Sequence, residues 1–177
     1  RPTSTAEADD AEKDDSLAEK QAALEDRIAE ESEIADFWAQ LGRVLSKRGR
    51  HSAAVAAYRR ACELDGATTY VWESLGLALK RVGRMEESLV ALERAIRMSE
   101  GGIAKQLYNT SLTLRDLRRR EDAIKMVRRA IALRPDYSAA QFFDSLLSLA
   151  QGDYARGWPA YEWRWALGQM RPRNAGD

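Results

Sequence analysis

His51 is the single histidine of this chain of 177 residues, and Cys62 is its single cysteine. A protein zinc site needs three or four imidazole, thiolate or carboxylate ligands, and base catalysis by histidine needs a nucleophile or substrate proton held beside it. His51 follows Gly49 by two residues and reads as a residue at a helix start. Cys62 stands beside Ala61 on a packing helix and reads as buried and inert. One cysteine also excludes an intrachain disulfide. The acid pairs Glu86–Glu87 and Glu121–Asp122 fall in the first turns of helices, where negative charge complements the helix dipole. They do not form a general acid and base. Gly101–Gly102 lacks the residues of a phosphate loop. The sequence therefore points to no catalytic centre, no metal and no cofactor, and the chain is read as no enzyme in itself.

Charge is the remaining chemistry. Arg115, Arg118, Arg119 and Arg120 crowd one turn, with Arg128 and Arg129 soon after. Such a cluster raises RNA binding, but helical-repeat RNA readers present a regular series of base-contacting side chains, which is missing here. The sequence pI of about 6.9 is near neutral, so nucleic acid is the weaker alternative. The net charge of zero hides an asymmetry. Residues 1–36 hold thirteen acids against four bases, a net of −9, and residues 37–177 carry +9. The acidic segment has two readings: a solubilising tail, or a competitor for a basic groove through residues 7–33.

The elements that position these residues follow from periodicity. Residues 1–15 are acidic and lack aromatics, which predicts a disordered arm. Ser16 is a candidate N-cap for a helix over 16–34, in which Leu17, Leu24 and Ile28 make a thin apolar stripe. Trp38, Leu41, Gly42 and Leu45 are answered 34 residues later by Trp72, Leu75, Gly76 and Leu79. Gly49 answers Gly83, Tyr58 answers Leu92 and Ala61 answers Ala95. After one extra residue the period continues through Leu107, Ser111, Leu114, Ala123, Val127, Ala130 and Pro135, and a last copy supplies Gly152, Tyr161 and the stretch around Trp163. Each copy holds two amphipathic runs broken at a glycine, and one such pair cannot cover its own apolar face, so neighbours must stack.

This pattern of a large residue, Leu-Gly, a small residue, an aromatic, another small residue and a final Pro resembles the tetratricopeptide-repeat (TPR) family. The resemblance covers residues 35–171, with repeats at 35–68, 69–102, 104–137 and 138–171 and a tail at 172–177. The third repeat departs from it with Thr110-Ser111 in place of Leu-Gly. The fold it implies is all-α: a right-handed α-solenoid of about four helix pairs after an extra N-terminal helix. No apolar run is long enough to span a bilayer and no signal-peptide pattern stands at the start, so the expectation is a cytoplasmic protein without a membrane partner. The first residue is Arg1 and not Met, which reads as a trimmed piece of a longer protein.

In such arrays the first helix of each pair lines a concave groove. That face is read as Ala39, Arg43, Ser46 and Lys47, then Glu73, Leu77, Lys80 and Arg81, then Tyr108, Asn109, Leu112 and Arg115, then Phe142, Phe143, Leu146 and Leu149. The groove should grade from basic to apolar and aromatic, suiting a polypeptide with apolar anchors flanked by acids. The position where one TPR subclass places Asn to clamp a chaperone C-terminus is Arg43 here, which disfavours that role.

The run from Gly152 to Trp165, GDY..GW..YEWRW, resembles the last repeat of bacterial proteins in which TPRs lead into a glycosyltransferase domain, relatives of the O-GlcNAc-transferase and SPINDLY type that include flagellin-modifying enzymes. That resemblance implies an acceptor-recruiting module, with flagellin or another surface-appendage protein as ligand and a C-terminal catalytic domain outside this chain. Trp158, Tyr161, Trp163 and Trp165 would then face that domain or close the last repeat as a lid. The alternative is a self-associating scaffold or adaptor without a linked enzyme, a homodimer joined through the 16–33 helix or the Trp158–Trp165 face.

Overall fold

The computed structural model describes residues 4–64, 67–99 and 103–168, with side chains from Lys13 onward. It is helical, and no strand occurs among the described residues. The chain divides into two compact units between Ala95 and Ile96.

The first unit begins with α1 (Ser4–Glu30), followed by α2 (Ala35–Lys47), α3 (His51–Glu63), α4 (Thr69–Arg81) and most of α5 (Met85–Met98). In α2 the apolar side chains recur at helical spacing, so Phe37, Leu41, Val44 and Leu45 are all buried. The pair α2/α3 closes on Gly42. A Cβ added there would stand 2.7 Å from the Tyr58 ring. The pair α4/α5 repeats the arrangement: a Cβ on Gly76 would lie 2.7 Å from Leu92, which is fully buried. Ala54 and Ala61 are likewise without exposure, so the backbones of a pair meet over hydrogen or methyl groups.

The turns within pairs are also alike. Gly49 and Gly83 adopt φ of +72° and +79°. Just beyond them the amides of Arg50 and Arg84 donate to the carbonyls of Leu45 and Leu79, at 2.9 Å in both cases. This bond closes a helix end through a left-handed residue, the conformation that glycine enters without a Cβ penalty.

α1 supplies the end cap of the first unit. Leu24 and Ile28 are buried in one cluster with Phe37, and Arg27 lies over the Phe37 ring at 3.9 Å. Arg48 donates to the Asp14 carboxylate at 3.0 Å and to the Gln21 side-chain carbonyl at 2.8 Å. Trp38 ties the α1–α2 connection by donating to the Ser32 carbonyl at 2.7 Å. A terminal helix with a polar outer face covers the apolar side that a preceding repeat would otherwise hide. Two expectations are corrected here. The acidic segment expected to be disordered through residue 15 is helical from Ser4, and Ser16 lies inside the helix instead of capping it. Ala, Glu and Lys favour helix, and acids in its first turns sit well with the dipole.

The second unit holds α6 (Ala104–Asp116), α7 (Arg120–Leu133), α8 (Ser138–Ala150), α9 (Tyr154–Tyr161) and a 3-10 helix, Glu162–Leu167, that ends at Gly168 with φ +72°. Hydroxyls replace Leu-Gly in its first pair, and each returns its proton to its own helix. Thr110 donates to the Gln106 carbonyl at 2.9 Å and Ser111 to that of Tyr108 at 2.6 Å. In the next pair the place of Leu41 and Leu75 falls to Asp144, 2% exposed. Arg128 from α7 and Arg156 from α9 each meet this carboxylate at 3.0 Å. Gly157 packs tightly on α8, where an added Cβ would lie 2.5 Å from Leu149. Pro159 lies within α9, and the chain continues as the 3-10 helix packed against α8. The expected Gly101–Gly102 turn and the tail over 172–177 lie outside the described residues.

Gly42→Ala and Gly76→Ala should each destabilise the chain by about 1–3 kcal/mol through overpacking. Glycine to alanine at an unobstructed helical site has the opposite sign, a gain of roughly 0.5–1 kcal/mol. Urea denaturation followed by circular dichroism distinguishes the two, and a gain at Gly42 would contradict the close contact.

Candidate interaction surface

The first unit carries a cavity of about 360 Å³ between its first helices. Ala35, Asp36, Ala39, Gln40 and Arg43 of α2 line one side, and Thr68, Tyr70 and Val71 the other. Ala35 and Ala39 keep the floor low. Arg43 is exposed and Tyr70 is 53% exposed, so a cation and an aromatic face stand beside an acid, Asp36. Lys47 and Arg81 are exposed on the same helices, and Leu77 and Lys80 are half-buried. Glu73 departs from expectation: placed on the open face by the sequence reading, it is 7% exposed. Ala39 is buried as well, as cavity floor. Tyr70, Asp36 and Gln40 are absent from the sequence-derived set. The repeat itself marks Tyr70, which follows Asp36 by one period of 34 residues.

Behind this cavity Tyr58 is almost wholly buried, and burial pushes its phenol up from 10.0 to about 12. Tyr70 adds to the shift, while a hydrogen bond with Ser74 and the charge of Arg43 oppose it. Burial, with Glu63 second, raises the Cys62 thiol to about 11, which makes it a poor nucleophile at neutral pH.

In the second unit the aromatic residues pack on each other more than they line open space. Tyr108 stacks edge-on against Tyr137 at 5.2 Å and Phe143 at 6.0 Å, and Phe143 is buried. Arg115 lies 5.4 Å from the Phe143 ring and pairs with Asp116 at 2.8 Å. Phe142, expected on the open face, is half-buried against Tyr161, with ring centroids 5.4 Å apart. Asn109 and Leu112 are half-buried, and Leu146 is exposed. The C-terminal aromatics fold back in part. Tyr161, Trp163 and Trp165 are half-buried, and Arg164 lies over Tyr161 at 4.3 Å and Trp165 at 4.0 Å. Trp165 also donates to Glu162 at 2.6 Å. Trp158 remains 58% exposed, with one edge against Tyr161 at 5.8 Å. Glu162, Trp163, Trp165 and Ala166 line an open cavity of about 330 Å³.

Among the described residues no group of three or more His, Cys, Asp or Glu could hold a metal ion. No described helix is long and apolar enough to cross a membrane.

Family models described as tetratricopeptide repeat match residues 35–77, 69–101 and 108–162. These ranges fall on the helix pairs described above. The chain is a tetratricopeptide-repeat protein. Several solved structures share the TPR fold with it. The MamA protein of Desulfovibrio magneticus RS-1 (residues 41 to the end) has a TM-score of 0.79 at 17% identity, over 92% of this chain and 89% of that one. PilF of Pseudomonas aeruginosa reaches 0.76 at 18% identity, over 89% and 71% of the two chains. YrrB, described as a TPR protein with an unusual peptide-binding site, reaches 0.74 at 13% identity over 84% and 76%. At these identities the likeness shows the TPR fold alone. No curated protein matches the TPR chain.

The fold prefers the Tyr58 phenol neutral, because its value in the folded chain lies above the ordinary 10.0. Stability should therefore be constant through Tyr58 up to pH 10 and fall as pH rises toward 12. Tyr58→Phe should flatten that alkaline loss in thermal melts taken across the range; an unchanged slope would argue against the buried phenol.

Proposed function

We propose that this TPR chain is a polypeptide-binding scaffold or adaptor that grips its ligand at the first helices of its repeats. The observation that carries this reading is the cavity between α2 and α4, with Arg43 and Tyr70 at its mouth and alanines for its floor. A small floor admits a side chain to the helix backbone. An exposed tyrosine supplies a rigid apolar contact with a polar tip, and arginine binds a carboxylate through its planar fork. Lys47 and Arg81 extend the positive character along the same helices. The ligand that fits is a segment with an apolar anchor and neighbouring acids. Extended and helical peptides both use such grooves, and one of the structures with this fold, YrrB, is described by its peptide-binding site.

The similar solved structures favour an adaptor without a linked enzyme over the acceptor-recruiting part of a glycosyltransferase. The glycosyltransferase reading rests on the GDY..GW..YEWRW string. Flagellin or another appendage subunit as ligand, and a C-terminal catalytic domain as partner, belong to that second reading. The half-buried state of Tyr161, Trp163 and Trp165 suits a lid on the last repeat, and Trp158 is the exposed aromatic that a following domain would use.

A peptide array probed with the full chain tests the main reading. Peptides holding one aromatic or leucine between acids should be enriched. Arg43→Glu with Tyr70→Ala should lower their affinity by about tenfold or more, the effect of losing a charge-assisted contact and an aromatic contact together. Arg94→Ala, an exposed change on α5, should leave affinity unaltered. Enrichment blind to Arg43 and Tyr70 would remove the cavity from the binding role.

A further inference from the structure

The turn between α6 and α7 departs from its three counterparts. Gly49, Gly83 and Gly152 hold φ of +72°, +79° and +81° at the equivalent position, and there the third pair has Arg118 at φ +60°. The backbone closure is the same, since the Arg119 amide donates to the Leu114 carbonyl at 2.9 Å. Glycine would serve this turn without strain, so the fold does not ask for an arginine. A side chain kept in a costly conformation is a pointer to a use outside the fold.

Arg118 does not stand alone. Arg115, Asp116, Arg118, Arg120 and Glu121 line an open cavity of about 590 Å³. Arg115 is engaged by Asp116, and nearby Arg119 by Asp122 at 2.8 Å. Neither Arg118 nor Arg120 is held in an ion pair with a described residue, and both are exposed. Two unengaged guanidinium groups at the mouth of one cavity offer planar forks for carboxylates.

We propose that this arginine notch binds a carboxylate-rich polypeptide segment, and that its occupant is the N-terminal part of α1 from a second copy of the chain. Residues 7–15 carry six acids against one lysine. α1 has 27 residues, about 40 Å at 1.5 Å per residue, and is twice the length of the 13-residue α2 on which it packs. Among the described side chains, Asp14, Leu17, Gln21, Leu24, Arg27 and Ile28 make its contacts with the first pair. The acids Glu7, Asp9, Asp10 and Glu12 precede them. The complementary charges of residues 1–36 and 37–177 favour such an encounter between copies and make it sensitive to salt. The contact is head-to-tail, with different surfaces on the two copies. It is separate from the α2–α4 cavity and stands whether or not that cavity binds a ligand.

Sedimentation velocity of the full chain over a concentration series tests the notch. At about 20 mM salt the mass should rise with concentration, and at about 500 mM it should return to that of one chain. The double variant Arg118→Gly, Arg120→Ser should weaken association by about tenfold or more. Its melting temperature should not fall, because glycine suits φ +60°, so lost association cannot be ascribed to misfolding. A synthetic peptide of residues 4–15 should dissociate the wild-type assembly and bind the double variant about tenfold more weakly. A concentration-independent single chain at low salt would overturn the proposal, as would association indifferent to the two arginines. Displacement of the peptide by an unstructured oligouridine at equal concentration would assign the notch to nucleic acid instead, and overturn it equally.

Discussion

In the two pairs of the first unit the helices approach so closely that no side chain fits at the crossing. Gly42 faces the ring of Tyr58 and Gly76 faces Leu92, and in both places even a methyl group would collide. Dispersion forces reward this contact because interior packing leaves no gap to absorb an extra atom. The rest of each pair follows from it. Once the backbones are this near, alanines at 54 and 61 must be small, the ring at 58 must be large, and the turn must reverse within four residues. The left-handed glycines at 49 and 83 meet that last condition.

The second unit changes the chemistry, with Ser111 and Ser145 at the places of Gly42 and Gly76. Where the first unit has leucine at 41 and 75, the second has Thr110 and Asp144, both buried. Burying a hydroxyl costs little when it can return a hydrogen bond to its own helix, as Thr110, Ser111 and Ser145 do. A buried carboxylate demands more. Asp144 is met by Arg128 and Arg156 from the helices on either side in sequence, so the charge is compensated twice. This clamp replaces a nondirectional contact by a directional one and fixes α7, α8 and α9 relative to one another. It also leaves the aromatics of the C-terminal stretch to pack on α8 without carrying the join alone.

The end of an array poses a different problem, since an outermost pair has one apolar face with no neighbour. α1 answers it in the first unit with two buried side chains, Leu24 and Ile28, and a rim of polar ties through Arg48, Gln21 and Asp14. Burial of the two aliphatic side chains contributes roughly 1.5–3 kcal/mol each. That is enough to hold a helix whose own apolar stripe is thin, and it explains how an acid-rich segment remains part of the folded unit.

Repeat period, helix breaks and close-packing positions were legible in the residues themselves, because a 34-residue unit forces the same volume and the same turn to recur at the same offset. That offset alone assigns Gly42, Gly76, Tyr58 and Leu92. The length of α1 was not legible, because acidic composition reads alike for a solvated helix and for an unstructured arm; the docking of Leu24 and Ile28 holds the helix, and Ala, Glu and Lys before them let it continue back to Ser4. Exposure was decided by tertiary structure too. Glu73 and Phe143 occupy inner-face offsets in the sequence yet are buried, and Phe142 is half-buried against Tyr161. The partners of Asp144, and the left-handed backbone under Arg118, likewise emerge only in the fold. Periodicity specifies which side of a helix a residue occupies, but what lies opposite depends on side chains contributed by other elements.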